Sequence, residues 1–299
     1  MKYVDKIYGE FELTEVLEAL IKTKTFQRLS RIHQGGPIFL VNPALNHTRF
    51  EHSVGVMFLI KKLGGSIEEQ IAGLLHDISH TAFSHLIDFV LEVEEEDYHE
   101  KRYEKVLKSS DIPSTLLQYG FKVEAFTDLD KFPILEYPLP ALSTDRIDYT
   151  LRDLFQLGKI SLEEINWFLE GMLVFQGRVV LKAVEYAAWF QEAYTYLTQH
   201  YFEGEENMVA NSKMKALILE CLDRRIITIE DFFQDDFYLL EKINREIEVK
   251  ARLQESGIAT GGYRTKKRKV DPEVLLNGEV RSLSEIRDYP AHPFTEKNI

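Results

Sequence analysis

The stretch Gly73-Leu-Leu-His-Asp-Ile-Ser-His-Thr-Ala-Phe-Ser-His85 carries the most information in this chain. It places an adjacent pair, His76 and Asp77, at the end of an apolar segment. The capping-box pattern Ser66-Ile-Glu-Glu69 predicts a helix that runs into this pair. Neighbouring side chains on a helix are about 100° apart, so a metal ion at the helix flank can accept both an imidazole nitrogen and a carboxylate oxygen.

Two further segments offer the remaining ligands that such an ion needs. They are Arg49-Phe-Glu-His52 and Thr144-Asp-Arg-Ile-Asp-Tyr149. A lone His-Asp pair is usually structural, but a buried cluster of imidazoles and carboxylates is costly without a metal. Mixed nitrogen and oxygen ligation suits Mn, Fe, Co, Ni, Zn or Mg and leaves positions open for water and a substrate oxygen. The predicted ligands are His52, His76, Asp77 and Asp145.

Polar residues near these ligands indicate hydrolysis of a phosphate compound. His85 and Asp88 are three residues apart, so Asp88 can orient His85 as a general acid or base. His80 lies one helical turn beyond the His-Asp pair and faces the same side if the helix persists. Arg49 and Arg146 each neighbour a predicted ligand in the sequence, and guanidinium groups are suited to binding phosphate oxygens.

Helical patterns dominate the chain. Apolar spacing and capping boxes predict helices over residues 47–63, 66–77, 161–172, 184–202 and 211–224. Gln176-Gly177 and Asn277-Gly278 predict the turns of two β-hairpins. We expect a mainly α fold, with a helical domain over residues 1–255 and a small basic and β-hairpin appendage over residues 256–299.

Composition and charge argue against several classes of protein. The formal net charge is −13 at pH 7, which argues against nucleic acid as a partner, because that binding rests on Lys and Arg. A small phosphorylated substrate stays possible, since a metal and a few arginines make a site locally positive. No apolar run approaches the roughly 18 residues of a membrane span, and the first residues do not resemble a signal peptide. With a single cysteine, Cys221, we expect a cytoplasmic protein that does not enter a membrane.

Two charged runs are interpreted as surface features. Lys266-Lys-Arg-Lys-Val270 is expected to be a solvated basic segment next to the second hairpin, rather than a nucleic-acid patch. The acidic run over residues 92–97 is expected to be a solvated helix end.

The motifs are similar to those of the HD-domain metal-dependent phosphohydrolases. The resemblance is strongest to the deoxynucleoside triphosphate triphosphohydrolase branch, which includes the dGTPase-like and the SAM-and-HD-domain enzymes. It extends from about Tyr8 to Asp153 and implies an all-α HD bundle that commonly forms dimers or tetramers. The motifs that carry it are Thr25-Phe-Gln-Arg-Leu29, Gln34-Gly-Gly36, His47-Thr-Arg-Phe-Glu-His-Ser-Val-Gly55, Gly73-Leu-Leu-His-Asp-Ile-Ser-His80, Phe83-Ser-His85, His99-Glu100 and Thr144-Asp-Arg-Ile-Asp-Tyr-Thr-Leu-Arg-Asp153.

The resemblance implies a role for each matching residue of this chain. The metal would be bound by His52, His76, Asp77 and Asp145, and the substrate phosphates by Arg49 and Arg146. The reacting phosphate would be lined by His80, His85 and His99, with His85 transferring a proton and Asp88 orienting it. The sugar would lie near Tyr149, its 3′-hydroxyl would be bound by Gln34 and Asp153, and Tyr201 would match a tyrosine of the family.

Two departures from the family pattern affect the expected substrate. Where the family has a leucine close to the sugar C2′, this chain has Gly35. We therefore expect space for a ribose 2′-hydroxyl, and turnover of ribonucleotides within about tenfold of deoxyribonucleotides. Family members also place an arginine on a later helix to hold the outer phosphates, but no Lys or Arg occurs between Ala183 and Ser212. This second departure weakens the expectation of a triphosphate substrate.

Three functions remain open from the sequence. The first is a nucleotide phosphohydrolase similar to the deoxynucleoside triphosphate triphosphohydrolases. The second is a phosphomonoesterase that acts on nucleoside monophosphates or another small phosphate ester. The third is a nucleotide-binding protein that keeps the fold but has no turnover. Because every motif position of the expected catalytic centre is present, the sequence favours an enzyme.

Overall fold

The computed structural model describes residues 1–254 and 268–286. Helices dominate this part of the chain, which confirms the predicted mainly α fold. The helices are α1 (Glu15–Ile21), α2 (Lys24–Arg28), α3 (Arg49–Lys62), α4 (Ile67–Leu75), α5 (Leu86–Val90), α6 (Glu100–Ser109), α7 (Ile112–Gln118), α8 (Thr144–Gln156), α9 (Leu162–Gly171), α10 (Val184–Leu197), α11 (Glu205–Asp223), α12 (Asp236–Asn244) and α13 (Val249–Gln254). The strands are β1 (Lys2–Asp5), β2 (Gly9–Glu12), β3 (Met172–Phe175), β4 (Arg178–Leu181), β5 (Glu273–Leu276) and β6 (Glu279–Ser282).

Three of the helices begin at complete capping boxes. Ser66 and Glu69 cap α4, and Ser161 and Glu164 cap α9, as the sequence predicts. The third box precedes α3, where Thr48 accepts a hydrogen bond from the backbone N–H of Glu51. Each box satisfies backbone N–H groups that a helix start leaves without partners, which is why these three boundaries are set locally.

Helix α3 is the centre of the larger hydrophobic core. It packs against α4 on one side and α8 on another, and Val54, Val56 and Met57 on it are fully buried. Gly55 permits the close approach of α8, because a Cβ there would lie 2.0 Å from Oδ1 of Asp148. The close contact positions the polar face of α8 directly against α3.

A second hydrophobic core lies beside the first. It is formed by the segment from Ala82 to Val90 together with α11, α12 and α13. Met214, Ile218 and Cys221 on α11 are buried in it. The loops that leave α4 therefore pass from one core to the other, and both cores hold them in place.

The two predicted hairpins are confirmed, and they join in one sheet. Its strand order is β3-β4-β5-β6, with β4 and β5 parallel through the pair Leu181 and Val274. Both turns have positive φ angles, at Gln176-Gly177 and at Asn277-Gly278, as tight hairpins require. The second hairpin thus continues a sheet that begins in the helical part. The division of the chain at residues 255 and 256 stays a prediction, because residues 255–267 lie outside the described part.

No helix among the described residues combines the length and the apolar character that crossing a membrane requires.

Candidate metal centre and its cavity

The four predicted ligands His52, His76, Asp77 and Asp145, which we call the metal quartet, meet at one place. The Nε2 atoms of the two imidazoles are 3.3 Å apart. Oδ1 of Asp145 lies 2.9 Å from Nε2 of His52 and 3.5 Å from Nε2 of His76. The carboxylate of Asp77 lies 3.4 Å from Nε2 of His76. Ligands bound at about 2.0–2.2 Å to one ion are about 3–4 Å from each other, so this spacing fits a metal site.

The second ring nitrogen of each imidazole is also held. Nδ1 of His52 donates to Oδ2 of Asp148 at 2.7 Å, and Nδ1 of His76 donates to the carbonyl oxygen of Gly73 at 2.8 Å. Since these oxygens can only accept, both imidazoles present Nε2 to the centre of the quartet. This arrangement orients metal-binding histidines in proteins, and it supports a divalent ion as the group that the quartet binds.

Asp148 anchors His52 within a buried chain of charges. Its Oδ1 accepts from Nη2 of Arg152 at 2.9 Å, and Arg152 also reaches Asp5 at 3.2 Å. Burial would raise the pKa of Asp148, but Arg152 and His52 lower it. Asp148 was not predicted as a site residue, although it lies three residues beyond Asp145 on the same helix. This series of buried charges begins at Asp5 in the N-terminal hairpin, and it fixes the orientation of His52.

The electrostatics of the quartet favour a bound cation. Burial would raise the pKa of Asp77, but the Arg49 guanidinium 2.7 Å away and the neighbouring histidines hold it well below its usual range. Burial opposes a charge on His52, yet hydrogen bonds to Asp145 and Asp148 raise its pKa to about 10. Without an ion, the carboxylates therefore keep a proton on this imidazole, which a metal must displace.

The His-Asp pair does not lie on a continuous helix, and this corrects the sequence-based expectation. Helix α4 ends at Leu75, His76 is its C-cap, and the following residues form a turn. Arg28 holds the turn by donating from Nη2 to the carbonyl oxygens of Ile78 and His80, each at 2.8 Å. His80 therefore reaches Asp77 through the turn, with its Nε2 3.3 Å from Oδ1 of Asp77.

His80, His85 and His99, which we call the histidine trio, lie together beside the quartet. His80 and His99 stack with ring centroids 3.7 Å apart, and His85 contacts both edge-on at 5.0 and 5.2 Å. Burial, Arg49 and His99 hold the pKa of His80 well below its usual range. Burial and His85 lower that of His99 to about 3. These two imidazoles are therefore neutral at physiological pH.

His85 differs from the other two members of the trio. Its side chain is 35% exposed, whereas that of His80 is 2% exposed. Nδ1 of His85 lies 3.1 Å from Oδ2 of Asp88, the partner expected from the sequence. Asp88 is itself held by the backbone N–H of Tyr98, at 2.9 Å. The arrangement leaves the second nitrogen of His85 for a substrate.

One cavity of about 380 Å³ unites the site. All of the predicted site residues except His52 and Asp88 line it, and these two lie behind His76 and His85 respectively. The lining residues that the sequence predicted are Gln34, Arg49, His76, Asp77, His80, His85, His99, Asp145, Arg146, Tyr149, Asp153 and Tyr201.

Several lining residues carry a buried polar atom that has no hydrogen-bond partner among the described residues. These atoms include Oε1 of Gln34, Oδ1 of Asp153, Nδ1 of His99 and Nε of Arg146. Oδ1 of Asp153 is 3.0 Å from Nε2 of His47, but at an angle that does not make a hydrogen bond. A buried polar atom without a partner costs about 1–3 kcal/mol. Four such atoms belong to residues that line one cavity, and this supports a polar ligand there.

Two arginines of the cavity are already engaged by protein groups. Nε of Arg49 donates to Oγ of Ser84 at 2.9 Å, in addition to the contact with Asp77. Nη1 of Arg146 donates to the carbonyl oxygen of Ala141 at 2.6 Å. Both guanidinium groups are thus fixed in orientation before a ligand binds.

The space expected beside Gly35 is partly filled. A Cβ on Gly35 would lie 2.4 Å from the hydroxyl oxygen of Tyr201 and 2.9 Å from Cγ2 of Ile38. The Tyr201 hydroxyl therefore occupies the volume that a larger side chain at this position would need. The Tyr201 hydroxyl thus takes up part of the space expected beside Gly35, and acceptance of a ribose 2′-hydroxyl there stays a prediction.

Asp236 is a structural support of the site that the sequence did not indicate. It is fully buried, and its Oδ2 accepts from the backbone N–H of His33 at 2.8 Å. Its Oδ1 accepts from the backbone N–H of Phe83 at 2.6 Å, and Phe83 has a positive φ of 57°. Asp236 thus joins the loop that carries Gln34 to the turn that carries His85.

The two charged runs agree with the sequence-based expectation only in part, since Glu92, Glu94 and Glu95 are exposed as expected. Glu96 is buried rather than solvated, and Nη2 of Arg268 lies 2.5 Å from its Oε2. Lys269 is exposed and Val270 is buried, while Lys266 lies outside the described residues. Glu136 was also missed: burial and the nearby Asp145 raise its pKa to about 7, and it lines the cavity.

Comparisons with known proteins agree with this geometry. The HD domain model matches residues 49–149, which contain the whole quartet. The uncharacterized protein YdhJ of Bacillus subtilis is 41% identical over 290 residues, which is 93% of this chain and 89% of that protein. A metal-dependent phosphohydrolase of Cordyceps militaris is 37% identical over 64% of this chain and 57% of its own length.

A more distant relative is the deoxynucleoside triphosphate triphosphohydrolase SAMHD1 of Danio rerio, 28% identical over 52% of this chain and 33% of its own length. This chain therefore spans only part of the length of these two relatives, both of which are named as phosphohydrolases. The matched domain, the near full-length relative and the assembled quartet lead to one assignment. The chain belongs to the HD-domain family of metal-dependent phosphohydrolases.

Proposed function

We propose that this enzyme hydrolyses nucleotides, with deoxynucleoside triphosphates as the first substrates to test. The proposal is supported by relatives named as deoxynucleoside triphosphate triphosphohydrolases, which match up to about half of this chain. The cavity, at about 380 Å³, is within the usual range of about 300–1,000 Å³ for small-molecule sites.

The observation that carries the proposal is two buried acceptors of the cavity that receive no hydrogen bond from a described residue, one of which, Oδ1 of Asp153, lies 3.0 Å from Nε2 of His47. Oε1 of Gln34 and Oδ1 of Asp153 need hydrogen-bond donors, and a fully ionised phosphate offers none. A sugar hydroxyl does, and one hydroxyl group can donate to either oxygen. A ligand that places a phosphate at the quartet and a hydroxyl at Gln34 and Asp153 satisfies both kinds of group.

The quartet supplies the reacting end of the site. A divalent metal held by His52, His76, Asp77 and Asp145 would polarise a phosphoryl oxygen and make a water nucleophilic at neutral pH. Asp145 lies in the first turn of α8, where the helix dipole stabilises its negative charge. Arg49 and Arg146, fixed by their protein partners, would neutralise phosphate charge as the transition state forms.

The proton for the leaving group comes from His85 in this proposal. When the water oxygen bonds to phosphorus, the bond from phosphorus to the leaving oxygen breaks, and that oxygen needs a proton. His85 is the exposed member of the trio, and Asp88 fixes its Nδ1. His80 and His99 would contact the phosphate as neutral groups, and Tyr149 and Tyr201 would form the wall next to the sugar.

A phosphomonoesterase is the second candidate. It is favoured by the engagement of Arg49 and Arg146 with protein groups, which leaves them less able to hold a long phosphate chain. The two candidates differ in the product. A triphosphohydrolase releases intact tripolyphosphate from a nucleoside triphosphate, whereas a phosphomonoesterase releases orthophosphate from a monophosphate.

The test is a screen of the full chain against paired nucleoside mono- and triphosphates in the presence of Mn²⁺, Mg²⁺, Co²⁺, Ni²⁺, Fe²⁺ or Zn²⁺. Products are separated by ion chromatography, and Asp145→Asn serves as the inactive control. Tripolyphosphate formation by the wild type alone supports the proposal. Orthophosphate from monophosphates alone supports the second candidate. Absence of any product from a metal-loaded protein would mean a non-catalytic nucleotide-binding protein.

Assembly and location stay predictions. We expect a dimer or tetramer, as the family resemblance implies, and a cytoplasmic location, as the single cysteine indicates. Sedimentation velocity at several concentrations measures the oligomeric state directly.

A further inference from the structure

Arg268 brings a third guanidinium to the cavity, from a part of the chain far from the HD motifs. It lines the cavity together with Glu96, and the two form an ion pair at 2.5 Å across 172 residues of sequence. Their side chains are 24% and 5% exposed, so the pair lies on the wall rather than at the surface. Phosphate sites are commonly built from such partly buried guanidinium groups.

The fold holds Arg268 in this position. The next residues are tied down: Val270 is buried, and its carbonyl oxygen accepts from Nε2 of Gln191 on α10 at 3.1 Å. The backbone N–H of Asp271 donates to the carbonyl oxygen of Pro140 at 2.8 Å, directly before β5. The position of Arg268 on the cavity wall is therefore set by the sheet and by α10.

Arg268 adds a cation to a cavity to which α10 contributes none. No Lys or Arg occurs between Ala183 and Ser212, yet Arg268 lies two residues before Val270, whose carbonyl oxygen accepts from Gln191 of α10. Arg268 and Tyr149 line the same cavity. Glu95 and Glu96 also line the cavity, and a nearby cation offsets the repulsion that such carboxylates exert on a bound polyanion.

The partner of Arg268 differs from those of the other two cavity arginines. Arg49 contacts a member of the quartet, and Arg146 contacts backbone carbonyl groups. Arg268 instead pairs with Glu96, which has a positive φ of 52°, an unfavourable angle for a residue with a side chain. A phosphate can replace a carboxylate at a guanidinium, since both offer two oxygens in similar geometry.

We propose that Arg268 binds a substrate phosphate beyond the one that reacts, and that Glu96 holds its guanidinium until the phosphate replaces it. This inference rests on the proposed function, because it requires a substrate with a phosphate chain. It identifies the substrate class as nucleoside di- or triphosphates rather than monophosphates. It also makes Glu96 a competitor of the substrate for the same cation.

The experiment compares Arg268→Ala, Glu96→Gln and the matched control Lys269→Ala, which removes an exposed cation next to Arg268. KM and kcat are measured for dGTP and dGMP with Mn²⁺. Binding of inorganic tripolyphosphate, added as its magnesium complex, is measured by calorimetry. Arg268→Ala should weaken tripolyphosphate binding and raise KM for dGTP about tenfold or more, the loss expected for one charge-assisted hydrogen bond. KM for any dGMP turnover should change less than about twofold.

Glu96→Gln is the discriminating variant. Removing the competing charge should strengthen tripolyphosphate binding about two- to fivefold, while Lys269→Ala stays within about twofold of wild type. If the pair were only structural, Arg268→Ala and Glu96→Gln would both weaken binding, and that result overturns the proposal. Unchanged binding in Arg268→Ala also overturns it.

Two further outcomes keep this inference separate from the proposed function. If Arg268→Ala does not fold, Arg268→Lys is used in its place together with Glu96→Gln. Weaker tripolyphosphate binding by Arg268→Lys and stronger binding by Glu96→Gln support the proposal. Any other pattern rejects it. If the wild type hydrolyses no nucleotide, the proposed function fails. The calorimetry then still tests Arg268, because it needs no turnover.

Discussion

The metal quartet and the histidine trio lie side by side, but they are built differently. His52 and His76 of the quartet are buried, and each has its second nitrogen fixed by a protein acceptor. The members of the trio lie at the end of a turn and at the starts of two helices, α5 and α6. Their rings contact one another. His85 remains partly exposed. Binding an ion requires fixed ligands, whereas transferring a proton requires a group that reaches the substrate.

The largest expected effect is on the quartet. His76→Ala or Asp77→Ala should remove bound metal and abolish turnover, because each change deletes a proposed ligand. Helicity should stay largely intact, since α4 ends before both residues. Elemental analysis and circular dichroism measure these two quantities. Full metal occupancy in either variant would contradict the proposed ligand set.

A smaller effect is expected on the trio. His85→Ala should lower kcat by about 10²–10⁴, the usual contribution of a positioned acid or base. Metal content should stay at the wild-type level, because His85 lies outside the quartet. Asp88→Asn should show a loss between those of wild type and His85→Ala, as it acts through His85. If His85→Ala turned over substrate at the wild-type rate, His85 would not be the proton donor. His80 or His99 would then be the next candidate.

Asp148, which orients His52, can be tested without changing a proposed metal ligand. Asp148→Asn keeps the size of the side chain but weakens the acceptor for Nδ1 of His52. We expect metal affinity to fall about 10–100-fold, the usual effect of changing a residue that orients a ligand. Titration with a competing chelator measures it. Unchanged affinity would show that Asp148 serves only the stability of the α3 and α8 contact, which the unfolding midpoint reports.

The smallest expected effect concerns the sugar wall. Because the Tyr201 hydroxyl takes up part of the space beside Gly35, Gly35→Leu would displace Tyr201 and does not test selectivity cleanly. Tyr201→Phe removes only that hydroxyl and should shift the ratio of kcat/KM for GTP over dGTP upwards by about two- to fivefold. Tyr196→Phe, on the same chain segment but not lining the cavity, is the control. An unchanged ratio would show that the Tyr201 hydroxyl does not contribute to the selectivity between ribose and deoxyribose.

Much of the architecture follows from local signals. Capping boxes at Ser66 and Ser161 set the starts of α4 and α9, and Asn277-Gly278 sets a hairpin turn, since each depends on neighbouring residues alone. The quartet was also predictable, because its residues are few in type and occur in long, specific motifs. The end of α4 was not, since Arg28 holds the turn after Leu75 from a distant helix.

Other parts of the site depend on contacts that no local pattern encodes. Asp236 joins His33 and Phe83 across 203 and 153 residues, and Arg268 pairs with Glu96 across 172. In the sequence, Arg268 and the exposed Lys269 belong to the same basic run, so charge pattern alone cannot separate them. Arg268 and Lys269 differ in burial, in distance from the cavity and in the residue that each one faces. Packing of the sheet against α10 sets these differences.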